Sequence, residues 1–172
     1  WLHLIAGILL TGTFTLLLLS GRPTTRVLEE WQERFLRLTR WIALILLATG
    51  LGSLGYQAVV VTGIRGLGAL ELSTLIRLLT DTQFGVVWLL RHGLLLLLAG
   101  LILTREREES GWDWLGFRGE GLLLGGIGLA LMAWAGHAAA VEPWPLLAAL
   151  VDGAHLVAVG IWMGGLLPLA LL

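Results

Sequence analysis

The chain of 172 residues contains no cysteine, which removes disulfides, thiolate metal sites and iron–sulfur clusters from consideration. Lysine is missing as well, so all eleven basic residues are arginine. Charge of either sign is scarce: 13% of residues are Asp, Glu, Lys or Arg, where an ordinary globular domain has roughly 25%. That surface would not keep a chain with 57% apolar residues and a mean hydropathy of +0.88 in water. It excludes a soluble enzyme and a disordered chain. A formal net charge of −1 provides no basic field for a phosphate backbone, so nucleic acid is excluded too. What remains, with 24 glycines and nine tryptophans, is an all-α bundle of membrane-crossing helices in contact with the lipid bilayer.

About 20 apolar residues in a helix cross a bilayer core. Five stretches reach that length: Trp1–Leu19, Trp41–Thr62, Val86–Leu103, Gly121–Ala140 and Ala148–Leu172. Backbone groups in lipid must be satisfied within their own segment, so these are helices. The first lacks a preceding basic residue and is too long for a cleavable signal peptide. A start at Trp1 and an end within an apolar run suggest a piece of a longer protein, with residues 1–172 forming a single transmembrane domain within a larger bundle.

Arginine sets the expected orientation. Arg22, Arg26, Arg34, Arg37 and Arg40 follow the first span and Arg105, Arg107 and Arg118 follow the third, against Arg65 and Arg77 at the other end. The arginine-rich end should be cytoplasmic, with Trp1 outside and Leu172 inside. Between Val27 and Leu38, the residues Leu28, Trp31, Phe35 and Leu38 recur at helical spacing, with Glu30–Arg34 and Glu33–Arg37 as pairs on the opposite face. This predicts a separate helix lying in the cytoplasmic leaflet. Ser73 is placed to cap a short outer helix ending at Leu79, whose apolar face is Leu72, Leu75, Ile76 and Leu79.

Histidine in a membrane segment marks a partner or an interior. His3, His92, His137 and His155 lie on four different spans, each in the outer half by the arginine orientation. Imidazole binds copper, zinc, nickel or iron. Asp152, three residues before His155, shares its helix face and serves as a ligand or holds the ring's tautomer. Met163, two turns further on, offers a thioether suited to Cu(I). Each has a plainer reading: His3 and His137 as interfacial residues, Asp152 as a helix-terminus charge, Met163 as packing. For His92 the structural reading is preferred. Arg91 beside it is expected to snorkel outward. No nucleophile and base occur together, so no catalysis is expected.

Helix one reads His3, Leu4, Ala6 and Gly12, and helix five reads His155, Leu156, Ala158 and Gly164 at the same intervals. The shared frame predicts two helices presenting histidine at equal depth, with small residues allowing close packing below.

Three motifs together resemble the copper resistance D (CopD) family of bacterial membrane proteins. Asp152, His155, Trp162, Gly164, Gly165 and Leu166 match its D-x-x-H…W-x-G-G-L helix. Gly136, His137 and Ala138 match its G-H-A. Thr82, Phe84, Gly85, Trp88, Leu89 and Arg91 match its T-x-F-G-x-x-W-L-x-R entry into a membrane helix. Thr13 departs from the pattern, which has a second glycine after Gly12. The resemblance implies a multi-pass protein of the bacterial inner membrane that takes up copper or confers tolerance to it, with a CopC-like periplasmic copper-binding protein or domain as partner. The expected site is a copper ion held in the outer leaflet by His3, His137 and His155, supported by Asp152, with Met163 on the inward route. Two alternatives remain at this level. Histidines such as His92 and His155, at similar depth, could hold b-type heme, and the outer segment from Glu142 to Pro145 could instead serve a scaffold that docks a partner.

Overall fold

The computed structural model describes residues 1–64, 66–104, 111–136 and 142–172. The described residues form six α-helices: α1 Leu2–Leu19, α2 Arg26–Thr62, α3 Leu72–Asp81, α4 Gln83–Thr104, α5 Gly111–Ala130 and α6 Pro145–Ala170. Short 3₁₀ turns at Gly66–Leu70 and Ala133–Ala135 join them. Five helices are long and apolar enough to cross a membrane, with the α5 span running on through its 3₁₀ extension to Ala135. The all-α membrane bundle expected from the apolar runs is what the chain forms.

Helix α1 is the hub. It packs against α2, α5 and α6, while α4 closes the bundle between α2 and α5. One apolar core, built around Leu10, Phe14, Leu17, Phe35, Leu46 and Leu98, joins α1, α2 and α4. A smaller cluster of Leu54, Ala58, Ala69 and Leu78 seats α3.

The segment expected to lie separately in the leaflet is instead the first third of α2, which runs unbroken for 37 residues. At 1.5 Å per residue that is about 55 Å, well beyond a hydrocarbon core of about 30 Å. Its apolar face, with Trp31, Phe35 and Leu36 buried, packs on the bundle. The exposed face carries a pair between Arg26 and Glu30 at 2.8 Å, so Glu30 reaches back to Arg26 and not forward to Arg34. Thr25 caps the start by accepting from the Leu28 amide, and Gly63 ends the helix in the left-handed conformation, φ 68°, as glycine does at this position.

Three other expectations are corrected. The fourth span begins at Gly111, not Gly121, and α5 ends at Ala130; residues 137–140 of the expected span lie outside the described residues. Arg118, expected in a loop, is therefore inside α5 and 2% exposed. Helix α3 starts at Leu72 with Glu71 at its N-cap position, where no side chain caps it, and Ser73 lies inside the first turn. Its packed face is Leu75, Leu78 and Leu79, while Leu72 and Ile76 point outward.

Candidate functional site: a buried imidazole–guanidinium cluster

The segment from Thr82 to His92 builds the site. Thr82 sits between α3 and α4, donating to Leu78 O at 2.6 Å and accepting from the Gly85 amide at 3.0 Å; it thereby closes one helix and caps the next. Gly85 is required by the tight fold-back, because a Cβ there would lie 2.1 Å from Leu78 O. One turn on, the Trp88 indole N–H donates to Gly50 O on α2 at 2.9 Å. His92 stacks on that indole with centroids 3.8 Å apart, and its Nδ1 donates to Trp88 O at 2.7 Å. A carbonyl only accepts, so Nδ1 carries the proton and Nε2 of the neutral ring presents a lone pair. That Nε2 is buried with no hydrogen-bond partner. It abuts α2 where Gly50 leaves room; a Cβ on Gly50 would fall 1.7 Å from it.

Arg91 turns to the other side of α4. It is 8% exposed, its Nε donating to Gly128 O on α5 at 3.3 Å and one Nη to His3 Nε2. Guanidinium is only a donor, so His3 Nε2 must accept and Nδ1 must hold the proton. That proton goes to Thr49 Oγ1 on α2 at 2.8 Å, and Thr49 passes its own to Ile45 O at 2.6 Å. The His3 and His92 rings lie 6.1 Å apart, 25° from parallel. Four helices thus converge on two neutral imidazoles and one cation. Arg91 does not snorkel outward as expected, and His92 is buried beside it.

A small cavity of about 10 Å³ adjoins the cluster, with His3, Gly7, Arg91, Gly125, Gly128 and Met132 in its wall. It is at the lower limit for one water. Met132 brings a thioether to the same wall as His3, a placement that sequence spacing alone does not suggest.

The other expected site residues are placed elsewhere. Asp152 and His155 line one open groove of about 510 Å³ on the outer face of α6, with Trp144, Leu147, Ala148 and Val151. Met163 is 54% exposed. His137 lies outside the described residues. Among the described residues, no three His, Asp or Glu side chains gather as a metal-holding group. His92 packs on Trp88 against α2 whereas His155 opens on α6, so these two do not face each other as axial ligands of a heme require.

A second polar cluster ties the opposite end of α1. Gln32 donates to Ser20 Oγ and Gly21 O, both at 2.8 Å, and accepts from Arg118 at 3.1 Å. The guanidinium also lies 4.4 Å from the Trp114 ring centroid, and the Trp31 indole donates to Pro168 O of α6 at 3.1 Å.

An all-α, multi-span bundle with imidazole and guanidinium groups inside it defines a polytopic membrane protein with a polar cluster in its interior. The chain belongs to the copper resistance protein D family: the family model described as copper resistance protein D-like, N-terminal domain, matches residues 1–147. That match runs from α1 into the first turn of α6. No curated protein and no solved structure shows significant similarity to the chain.

Proposed function

We propose that the protein carries copper across the bacterial inner membrane, inward, and that histidines near the end of the bundle opposite the arginine-rich start of α2 receive the ion. One observation carries this reading: in a chain of a copper resistance family, two neutral imidazoles are held inside the bundle with donor nitrogens and, among the described residues, no carboxylate beside them. His3 is the ligand inside the bundle, and His137 and His155, the latter supported by Asp152, receive the ion before it at the outer end. The thioether of Met132 is better placed than that of Met163 to take Cu(I) from His3, and Met163 serves further along α6. Copper is the cargo, delivered by a CopC-like periplasmic partner.

Arg91 is then a latch. Its N–H fills the His3 lone pair, so copper can bind only when the guanidinium swings away. A transported ion must be released as readily as it is taken, and a cation that returns to His3 provides that release.

The test is copper content of cells expressing the parent or the His3→Ala, His137→Ala and His155→Ala variants. The expected result is accumulation at the level of cells lacking the protein. Variants that load copper as the parent does would remove the histidines from the pathway. Elemental analysis of purified protein serves alongside, since iron without copper would point to heme.

A further inference from the structure

Two residues of the repeated His-Leu-x-Ala…Gly frame touch. A Cβ on Gly12 would lie 2.0 Å from the Gly164 carbonyl carbon, and one on Gly164 would lie 2.0 Å from Ile8 O. Contacts then follow both helices in the same order, with Gly160 against Thr11 and Gly165 against Leu16. Helices α1 and α6 are therefore parallel, with Gly12 level with Gly164. In each, the histidine precedes the glycine by nine residues, which is two and a half turns at 3.6 residues per turn. His3 and His155 thus stand at one depth, each on the face of its helix turned away from the other.

On α1 that outward face is covered. Helix α2 packs on α1 and brings Thr49 to His3, and Arg91 reaches the same ring from α4. Among the described residues nothing covers the equivalent face of α6. His155 is exposed, Leu147 is 56% and Val151 61% exposed, and the groove they share with Asp152 is open. An imidazole and a carboxylate turned toward hydrocarbon are unfavourable, and such groups in membrane helices are almost always covered.

We propose that this face of α6 is the seat of a partner membrane helix that carries an arginine, whose side chain reaches His155 and Asp152 as that of Arg91 reaches His3. The charges favour this occupant. Arg91 finds neutral acceptors on α1 and α5, whereas an arginine at the matching position on α6 would meet the His155 ring and, one turn away, the Asp152 carboxylate, its natural counter-ion. The small Ala148 opens the groove between Leu147 and Val151 for the incoming side chains. The proposal rests on the helix geometry and stands whether or not copper is the cargo.

A photo-reactive amino acid replacing Val151 in the full chain, in the membranes of the cells that make it, tests the proposal. Leu96, 60% exposed on α4, provides the lipid-facing control. The expected result is an adduct at 151, absent at 96, whose peptide is an apolar membrane segment containing arginine. Asp152→Asn should lower its yield about tenfold, the loss of one charged hydrogen-bonding pair in a membrane. Exchanging Asp152→Arg with an acidic residue at the partner's arginine should restore it. Lipid adducts alone, a captured peptide of a second copy of this chain, a captured helix without arginine, or a yield indifferent to Asp152→Asn would each overturn the proposal. Thermal unfolding of the variants equal to the parent's separates loss of the seat from loss of the fold.

Discussion

Arg91 brings a full charge into the bundle and, among the described residues, is met by neutral acceptors, His3 Nε2 and Gly128 O. A second cation at His3 would stand close to it. At a separation of about 5 Å and an effective dielectric of about 20, two unit charges repel by roughly 3 kcal/mol. Arg91→Met keeps the length of the side chain and removes that repulsion. It should tighten copper binding at least tenfold in a Cu(I) competition titration, and an unchanged affinity would show that Arg91 does not oppose the ion. On the α2 side of the same cluster, His92 is pinned by its stack on Trp88 and its bond to Trp88 O, so it cannot yield to a methyl on Gly50. Gly50→Ala should cost about 1–3 kcal/mol through overpacking. Two residues further along, Gly52 has nothing within 4 Å of its would-be Cβ, and Gly52→Ala should stabilise α2 by about 0.5–1 kcal/mol. Thermal unfolding of both variants in one detergent compares them directly.

At the scale of the elements, the two glycines of the Gly164–Gly165 pair have opposite fates. Gly164 faces the α1 backbone, which has no rotamer to change, whereas the nearest neighbour of a Cβ on Gly165 is Leu16 at an ordinary 3.5 Å. Gly164→Ala should therefore separate α1 from α6 and lower the unfolding temperature markedly, while Gly165→Ala should leave it near the parent's value. The close packing of Gly12 on Gly164 is legible in the repeated His-Leu-x-Ala…Gly frame, and the five spans are legible in the apolar runs. Other elements are not, for identifiable reasons. The join between residues 38 and 41 has the look of a boundary because charge ends there, yet no proline or glycine breaks the helix, and helix formation is indifferent to where the bilayer starts. Sequence places Arg91 and His92 in opposite environments because neighbours on a helix point about 100° apart. Helix α4 packs against α2 on one side and α5 on the other, so both directions are interior. Met132 and Thr49 join the cluster only through tertiary packing, which spacing along the chain does not encode.

Over the whole molecule, the two polar clusters divide the work between the ends of α1. His3 lies in its first turn and Ser20 just beyond its last, about 25 Å apart along an α-helix. The cluster at His3 consists of groups whose protons are fully assigned but whose guanidinium is free to exchange one neutral acceptor for another. Gln32 at the far end is saturated by its neighbours, with its amide donating twice and its carbonyl accepting from Arg118. Removing it takes one acceptor from Arg118, which keeps Trp114 O and the Trp114 ring, and takes the side-chain donor from the half-buried Ser20–Gly21 turn. Gln32→Ala should then cost about 1–3 kcal/mol and leave copper affinity alone, whereas Arg91→Met should change affinity and move stability far less. Sites so far apart, with no shared partner, add to within about 0.5 kcal/mol. The double variant should show the stability of the first and the affinity of the second. If instead Gln32→Ala shifts copper binding tenfold, the bundle couples its two ends, and closure around the ion involves the helices as rigid rods and not the Arg91 side chain alone.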